Sequence, residues 1–329
     1  MNVRAFSILR LLKDGEFQSG VSLAKKLNCS RSTITNALKN IRSCGIEISK
    51  IRGRGFRWIN PISYLNNDLI LSCVLYKPNN FCLIICDVID STNNFLLKNF
   101  EKQHYNNNCI PVVATELQTH GRGRAGRSWH SGFGDSLTFS LGWRFEKGAS
   151  SLSGLSLLIG IAIIRVFKSF SIGNVSLKWP NDILFDNKKL AGVLIELRGE
   201  IIGPSFVIIG IGINFKLSDY IKSSLKQIAT DLFSITGVCF DRNLIFGSLL
   251  LELRNILPVF EEYGFSFFKN EWSSYHAYEG QPVSLIAPNG SVVEGTVDGV
   301  IDDGSICLIT STGRLTYHVG DISMRLNYH

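Results

Sequence analysis

A basic, glycine-rich stretch in the middle of the chain is the first candidate for chemistry. The segment QTHGRGRAGRSWH (residues 118–130) holds three glycines, three arginines and few apolar side chains. Glycine lets a backbone approach an anion closely, and guanidinium groups hold phosphate or carboxylate with paired donors. The segment lacks the Gly-Lys-Ser/Thr of a P-loop. Two interpretations are therefore open: a loop that closes over a small anionic ligand, or a loop that grips a nucleic-acid backbone.

Two further stretches place charged side chains beside predicted strands. KWPNDI (residues 178–183) combines a lysine, an asparagine and an aspartate, and its proline makes Trp179 extended. KKLAGVLIE (residues 188–196) begins with two lysines and runs into an apolar strand. A lysine at a strand mouth can stabilise charge that develops on a phosphoryl group. Each residue also has a plainer explanation: Trp179 as core packing, Asp182 as a cap or turn residue, and one of the two lysines as merely solvated.

The elements that must position these residues begin with a basic N-terminal block. Residues 1–60 carry 12 Lys and Arg against 3 Asp and Glu, whereas the net charge of the whole chain is only +7. Helical periodicity predicts one helix over residues 3–13 and a second around residues 21–27. A third helix is predicted between Ser30, a good N-cap, and Gly45, a good stop. This pattern is typical of a helix-turn-helix.

The third helix and the hairpin after it predict DNA binding. Ile34, Leu38 and Ile41 face inward, so the opposite face carries side chains that bond phosphates and base edges. A second basic feature, a wing of two strands around residues 53–55, follows. The predicted DNA contacts are Arg31, Ser32, Thr35, Asn36, Lys39, Arg52 and Arg54. A winged helix that is used only for protein contacts is the alternative.

Three domains are predicted along the 329 residues, which makes the chain a multidomain α+β protein. After a linker around Pro61, apolar strand-like runs, among them SLKWPNDILF (residues 176–185), alternate with helical patterns at 91–100, 152–170 and 242–263, which indicates a mixed α/β domain. The last segment has short β-prone runs split by Asn-Gly, Asp-Gly and Thr-Gly, which favours a small SH3-like β-barrel. The predicted domains are residues 1–60, 61–275 and 276–329.

Composition argues against a metal centre, a membrane segment and secretion. Cys82 and Cys86 would lie about 13 Å apart on a strand, too far for one ion. Reduced core cysteines are therefore predicted for the eight in the chain, and no zinc. No apolar run approaches the ~20 residues that span a bilayer, and the N-terminus lacks a small-residue cleavage site. We therefore expect a cytoplasmic protein without a membrane partner.

Taken together, the motifs resemble those of the biotin protein ligases. GRGRAGRSW, KWPND, KKLAGVLIE, GIGINF and an upstream DSTN occur in matching order and spacing. The Gly-Arg loop with KWPND and KLAG is highly specific as a set. With the winged helix and the small barrel, nearly the whole chain resembles the bacterial family that combines a biotin ligase with a biotin-operon repressor.

The resemblance implies a two-step reaction with ATP and Mg²⁺. Biotin carboxylate attacks the α-phosphate of ATP, which gives biotinyl-5′-AMP and pyrophosphate. A lysine amine of the biotin carboxyl carrier protein subunit of acetyl-CoA carboxylase then attacks the mixed anhydride and releases AMP. Cationic groups neutralise the repulsion between the anions, and a closing loop protects the adenylate from water.

The resemblance also implies biotin-responsive repression of biotin-synthesis genes. The expected repressor is a homodimer that forms through the central domains once the adenylate orders their loops. Such a dimer would set two recognition helices on a two-fold-related operator DNA.

Individual roles follow from the same resemblance. The implied biotin-binding residues are Ser91, Thr92, Asn93, Gln118, Arg122, Gly123, Arg124 and Lys189. The implied residues for ATP or the adenylate are Arg122, Arg124, Arg127, Trp129, Lys178, Asn181 and Asn214. Lys189, Arg124 and Asp182 are the implied catalytic residues, and no protein ligand of Mg²⁺ is implied.

Two departures from the family pattern and two competing hypotheses stand beside this interpretation. Ala125 occupies a position where the family often has another arginine, so we expect a slightly altered loop charge. The segment 223–233 lacks a tryptophan to cover the adenine, so Phe233 or an aliphatic residue is expected to do so. The competing hypotheses are a winged-helix ligand sensor without ligase turnover and a nucleic-acid-binding protein that uses both basic regions.

Overall fold

The computed structural model describes residues 1–74, 80–99, 109–199, 203–225, 228–320 and 322–327. Its N-terminal part is a winged helix, in which three helices precede a two-stranded wing. The elements are α1 (Val3–Leu11), α2 (Gly20–Lys26), α3 (Arg31–Ser43), β1 (Ile48–Ile51) and β2 (Gly55–Trp58).

Helix α3 begins and ends where the sequence signals predict. The Ser30 side chain accepts a backbone N–H of the first turn, and Gly45 takes a φ of +79° just beyond the C-terminus. Ile34, Leu38 and Ile41 are buried in the winged-helix core. The predicted third helix and its inward face are therefore confirmed.

A seven-stranded mixed sheet forms the centre of the molecule. Its strand order is β3-β4-β7-β11-β10-β9-β8, with β3 and β4 parallel and the other neighbours antiparallel. The central elements are α4 (Asn67–Ser72), β3 (Phe81–Ile89), α5 (Thr92–Asn99), β4 (Ile110–Gln118), β5 (Gly121–Arg122), β6 (Ser128–Trp129), β7 (Ser136–Phe145), α6 (Leu155–Ser169), β8 (Val175–Lys178), β9 (Asp182–Phe185), β10 (Lys188–Gly199), β11 (Ser205–Asn214), α7 (Asp219–Ser224), α8 (Leu232–Thr236), α9 (Arg242–Tyr263) and α10 (Lys269–Ser274). Two 3-10 turns lie at Ala149–Leu152 and Phe265–Phe267.

The two faces of this sheet are covered differently. Helices α6 and α9 pack on one face, and α5 packs on the other. Strand β11 turns Ile209, Ile211 and Ile213 into the main core. It turns Gly210 and Gly212 towards α5 and the basic loop, so that face lacks bulky side chains there. The alternation therefore opens a shallow site on the α5 face.

The C-terminal part is a five-stranded antiparallel sheet with the order β15-β14-β13-β12-β16. Its strands are β12 (Pro282–Ile286), β13 (Val292–Val300), β14 (Ile306–Thr310), β15 (Gly313–Tyr317) and β16 (Ser323–Leu326). The predicted hairpins are confirmed, and closure of the sheet into a barrel stays a prediction. The fully buried Trp179 donates from Nε1 to the Gly304 carbonyl at 3.0 Å and joins this part to the centre.

Two expectations about the central elements need correction. The run SLKWPNDILF is not one strand, because β8 and β9 form a hairpin around the cis Trp179–Pro180 bond. Proline has no N–H to continue a ladder, so the strand ends before it. The short helices α4, α7, α8 and α10 were not predicted, since fewer than two turns give too little periodicity to detect. Of the predicted helix over 91–100, residue 100 lies outside the described residues.

Two helical stretches in the described part of the chain are long and apolar enough to cross a membrane by length and composition alone. They are Ala149–Ser169 and Arg242–Tyr263. Neither stretch is a continuous apolar run, because polar residues such as Arg165 and Glu252 interrupt them. Within the fold, 72% and 56% of their most apolar windows are buried. Because α6 and α9 pack on each other and on the sheet, they are core helices.

The cysteine expectation is also wrong in part. Cys82 and Cys109 form a disulfide at the start of the neighbouring strands β3 and β4. Of the free cysteines in the described residues only Cys307 is buried. The sequence could not indicate the pair, because the parallel register that brings the two residues together is long-range.

A buried ion pair anchors the linker to the central domain. Arg242 and Glu116 lie 2.7 Å apart, with side chains 5% and 0% exposed. Arg242 also donates to the Ser63 carbonyl, and Glu116 accepts the Leu65 N–H, both at 2.7 Å. Breaking such a buried pair costs about 3–5 kcal/mol. The linker therefore follows a defined path on the central domain.

The winged helix rests on the segment that follows the basic loop. The buried Phe133 belongs to the winged-helix core, with its ring centroid 5.4 Å from that of Phe6 and 6.1 Å from that of Trp58. Arg10 of α1 forms an ion pair with Asp87 near the end of β3. The two domains thus share a continuous apolar contact.

Candidate functional site

One open cleft on the α5 face of the sheet brings together most of the predicted ligand residues. The volume of its cavity is about 100 Å³, so the cleft is shallow in this structure. Of the predicted residues its lining contains Ser91, Thr92, Asn93, Gln118, Arg122, Gly123, Arg124, Arg127, Trp129, Asn181, Asp182 and Lys189. Lys178 and Asn214 are not in this lining, although both contact residues that are.

The basic loop is an ordered hairpin, which we call the arginine hairpin (residues 121–129). Strands β5 and β6 pair, and the Gly123 N–H donates to the Arg127 carbonyl at 2.6 Å. Ala125 and Gly126 make the turn with φ values of +51° and +69°. Ala125 thus occupies a left-handed position, where a residue with a Cβ is strained.

The tip of the arginine hairpin reaches two other parts of the protein. Arg124 donates to the Asn181 Oδ1 at 3.1 Å and to the Gly320 carbonyl. Arg127 donates to the Ser323 Oγ at 3.2 Å. The C-terminal sheet therefore helps to hold the hairpin over the cleft.

A buried carboxylate between two lysines forms the charged end of the cleft. Asp182, 8% exposed, lies 2.5 Å from the Lys189 Nζ and 4.0 Å from the Lys178 Nζ. Burial alone would raise the pKa of Asp182, but the charges of Lys189, Lys178 and Arg127 outweigh it and hold the pKa below its ordinary value. For Lys178, burial is the main cause of a lowered pKa, and Asp182 opposes it.

Strand register decides which of the two adjacent lysines faces this cleft. A bulge between Lys189 and Ala191 interrupts the pairing of β10 with β9. Lys189 is turned towards Asp182, whereas Lys188 is exposed. Lys188 is therefore the solvated member of the pair.

Positive charge exceeds negative charge around this end. Arg124, Arg127 and Lys189 line the cleft, and Asp182 is the one carboxylate among its described lining residues. An excess of cations in a partly buried cleft favours an anionic ligand.

Trp129 covers the middle of the cleft above the glycines. A Cβ at Gly212 would overlap the Trp129 ring, so the indole can lie flat on the sheet only because this residue is glycine. The Lys189 Nζ lies 5.8 Å from the ring centroid. The Trp129 Nε1–H is buried and has no hydrogen-bond partner among the residues that the structure describes, so it can donate to a ligand acceptor.

The other end of the cleft is a polar network. The Thr92 N–H donates to the Gln118 Oε1 at 2.8 Å. The Ser140 hydroxyl lies 2.6 Å from the Thr92 Oγ1 and 2.5 Å from the Asn93 Oδ1, and its one hydrogen is shared between these two acceptors. Asn93 in turn donates to the Glu196 Oε2 at 2.7 Å.

Ser140 and Glu196 were not predicted from the sequence. Both lie within long apolar strands, where a single polar residue resembles ordinary alternation. The one available signal was a polar residue inside a mainly apolar strand.

Asn214 and the segment after α7 form hydrogen bonds with the backbone of Lys189. The Asn214 Nδ2 donates to the carbonyl of Thr230 at 3.0 Å, and the Lys189 N–H donates to the Ile228 carbonyl at 3.1 Å. Ile228 is 73% exposed beside Lys189, whereas the Phe233 ring lies against Lys216. Residues 226–227 of the predicted adenine-covering loop lie outside the described residues.

The predicted DNA contacts lie on one exposed basic surface. Arg31, Ser32, Thr35, Asn36 and Lys39 are all exposed on α3, and Arg52 and Arg54 are exposed in the wing. The Arg54 and Arg57 guanidinium carbons lie 4.4 and 5.1 Å from the centroid of the Phe17 ring. This stacking restrains the wing arginines before any contact with DNA.

Comparison with known proteins matches all three parts of the chain. Residues 4–57 match the HTH domain family, residues 85–214 match the biotin/lipoate A/B protein ligase family, and residues 279–325 match the biotin protein ligase C terminal domain.

Individual relatives match over almost the whole length. The chain is 33% identical over 319 residues to the bifunctional ligase/repressor BirA of Salmonella typhimurium, which covers 97% of both chains. It is 33% identical over 324 residues to the BirA of Escherichia coli, with 98% of both chains covered. The solved biotin protein ligase of Aquifex aeolicus in complex with biotin and ATP gives a TM-score of 0.63 at 30% identity, over 74% of this chain and 99% of that one.

The ion pair of Asp182 should make stability depend on pH. Because its folded pKa is lowered, the ionised carboxylate stabilises the fold above the unfolded pKa of about 3.9 and loses this effect as the pH falls through the folded value. We expect Asp182→Asn to lower the free energy of unfolding by about 2 kcal/mol at pH 7. The difference from wild type should shrink below about pH 4, measured by urea unfolding.

The matched control for this experiment is Asp302→Asn, which removes an exposed ion pair with Lys269. It should change stability by less than about 1 kcal/mol. A loss in Asp182→Asn that stays constant from pH 7 to pH 3 would contradict the assigned charge interaction.

Proposed function

Since the chain belongs to the family of bifunctional biotin ligase/repressors, we propose that it biotinylates a carrier-protein lysine with ATP and represses biotin-synthesis genes in response to biotin. The observation that carries the proposal is the cleft in which Lys189, Asp182 and the arginine hairpin meet. A winged-helix sensor without ligase turnover is not favoured, because such a sensor has no need of groups that neutralise phosphate.

The first step joins two anions. The biotin carboxylate oxygen forms a bond to the α-phosphorus of ATP, and the bond to the β-phosphate oxygen breaks with pyrophosphate as leaving group. Lys189, Arg124 and Arg127 are the cations that lower the repulsion in this step. Asp182 holds Lys189 in place, which supports its assignment as a catalytic-site residue.

The second step transfers the biotinyl group. The uncharged lysine amine of the carrier forms a bond to the carbonyl carbon of biotinyl-5′-AMP, the carbon–oxygen bond to phosphate breaks, and AMP leaves with the electron pair. The amine loses its proton to solvent or to AMP. The arginine hairpin covers the cleft and limits the access of water to the mixed anhydride.

The two ends of the cleft suit the two parts of the adenylate. We assign biotin to the polar network and the glycine floor, at Ser91, Thr92, Asn93, Gln118, Arg122, Gly123, Arg124 and Lys189. We assign the nucleotide to Arg122, Arg124, Arg127, Trp129, Lys178, Asn181 and Asn214. The exposed Ile228 is the aliphatic residue best placed to cover the adenine.

Mg²⁺ is proposed as a companion of the ATP phosphates. Among the residues that the structure describes, no group of three or more His, Cys, Asp or Glu could hold a metal ion. Asp182 is the carboxylate of the cleft, and it already faces two lysines. These residues fit an ion held mainly by phosphate and water, so we assign it no protein ligands.

The wider setting completes the proposal. The carrier is the biotin carboxyl carrier protein subunit of acetyl-CoA carboxylase, and the protein acts in the cytoplasm, where ATP and operator DNA are both available.

The domains are residues 1–60, 61–275 and 276–329. The family matches at 4–57, 85–214 and 279–325 fall within these limits and support the division.

Transfer of labelled biotin to a carrier domain tests the ligase site. We expect ATP-dependent labelling by the wild type. In Lys189→Ala the labelling rate should fall by a factor of about 100 or more, because one preorganised cation is lost. The adjacent Lys188→Ala is the matched control and should stay within about twofold of wild type. Equal rates in the two variants would refute the site, and an unlabelled carrier with wild type would favour the sensor.

Dimerisation is proposed to follow adenylate binding. Among the described residues, β9 pairs with β10 only as far as Gly192 and Asn181 bonds Val193, so β10 beyond Val193 offers an open edge, and such edges favour pairing with another chain. We expect sedimentation velocity to show a monomer alone and a dimer with biotinyl-5′-AMP. A monomer under both conditions would count against a ligand-driven dimer.

Salt dependence of operator binding tests the DNA surface. Arg31→Ala and Lys39→Ala should each weaken binding and reduce the slope of log affinity against log salt by about 1. Lys13→Ala, which removes an exposed charge after α1, is the control. Ligation should continue in all three variants, and a variant that loses ligation would contradict the domain division.

A further inference from the structure

Arg122 has a protein partner that the expected role does not explain. Its Nη2 lies 2.8 Å from the Glu196 Oε1, and its Nη1 donates to the Glu196 Oε2 at 3.1 Å. Nη1 also donates to the Asn94 Oδ1 at 2.7 Å. The guanidinium is thus paired across both oxygens of one carboxylate and bonded to the helix α5.

Glu196 belongs to the central sheet. It lies on β10 opposite Ile208 of β11, and its side chain is 19% exposed. Its Oε2 also accepts from Asn93, whose other amide atom accepts from Ser140. One carboxylate therefore connects the floor of the cleft with the base of the arginine hairpin.

The hairpin can transmit this connection to its tip. Arg122 lies on β5, which pairs with β6 and so with Trp129. At the tip, Arg124 and Arg127 contact Asn181 and the C-terminal sheet. The hairpin is consequently held at both ends, and Arg122 with Glu196 forms the attachment at its base.

We propose that Arg122 and Glu196 form a latch that keeps the arginine hairpin closed over the biotinyl adenylate. Arg122 is then a positioning residue whose charge is balanced by Glu196, and this role replaces the direct ligand contact that the resemblance implies for Arg122. This inference rests on the proposed ligand cleft. It assigns to Glu196 a role in retaining the intermediate until the carrier lysine arrives.

A double-mutant cycle on the full-length protein tests the latch. The variants are Arg122→Gln, Glu196→Gln and the two together. The probe is labelled biotinyl-5′-AMP, loaded on the protein and chased with unlabelled adenylate. We expect each single variant to release it about tenfold faster, because a hydrogen bond between charged groups is lost. The double variant should release it no more than about twofold faster than the singles.

The control is Glu146→Gln, which breaks the exposed ion pair with Arg144 at the end of β7. Its release rate and its urea midpoint should match the wild type. Glu196→Asp keeps the charge and serves as a second variant if Glu196→Gln fails to fold; it should release the adenylate more slowly than Arg122→Gln.

Three results would overturn the latch. A wild-type release rate in Glu196→Gln would show that the pair does not hold the hairpin. A double variant whose effects multiply to about 100-fold would show that Arg122 acts on the ligand itself. If the wild-type protein binds no biotinyl-5′-AMP, the proposed ligand cleft and the latch are both wrong. If only the latch is wrong, Lys189→Ala still loses most of its labelling of the carrier.

Discussion

The excess of positive charge around one buried carboxylate is the constraint on which the site depends. Asp182 offsets Lys189 and Lys178 only in part, and Arg124 and Arg127 add further charge from the hairpin. The Asn181 amide oxygen and the Gly320 carbonyl hold Arg124, and the Ser323 hydroxyl holds Arg127, so these cations are preorganised for an anion. The sheet supplies the rigid floor, because its glycines let Trp129 and Lys189 lie close to the strands.

The arginine hairpin is the point at which the three parts of the protein meet. Its tip contacts the C-terminal sheet through Arg127 and Ser323. Four residues beyond its end, Phe133 is buried in the winged-helix core. A ligand that contacts the hairpin therefore acts on a segment already packed against the DNA-binding domain. This continuity is a physical route by which ligase and repressor functions can share one ligand, since packed cores transmit small shifts.

Local signals predicted the parts of the structure that depend on neighbouring residues. The caps and inward face of α3 follow from Ser30, Gly45 and helical spacing, and the hairpins of the last domain follow from their turn dipeptides. The motifs around the Gly-Arg loop and Lys189 indicated the family, and its residues do gather in one cleft. Failures had a common origin: the turn in SLKWPNDILF, the disulfide of Cys82 and Cys109, and the short helices all depend on tertiary context.

The sequence by itself determined the class of chemistry, because lysine, arginine and glycine at those spacings suit few ligands other than phosphate and carboxylate. It also determined the winged helix, since caps and periodicity act within one turn of a helix. Only the tertiary structure decided which cationic side chain forms an ion pair with which carboxylate. It turned Lys189 to Asp182 and left Lys188 in solvent, and it paired Arg122 with Glu196, 74 residues away in the chain. Such pairings depend on strand register and on the path of the hairpin, and neither is encoded in any short stretch of residues.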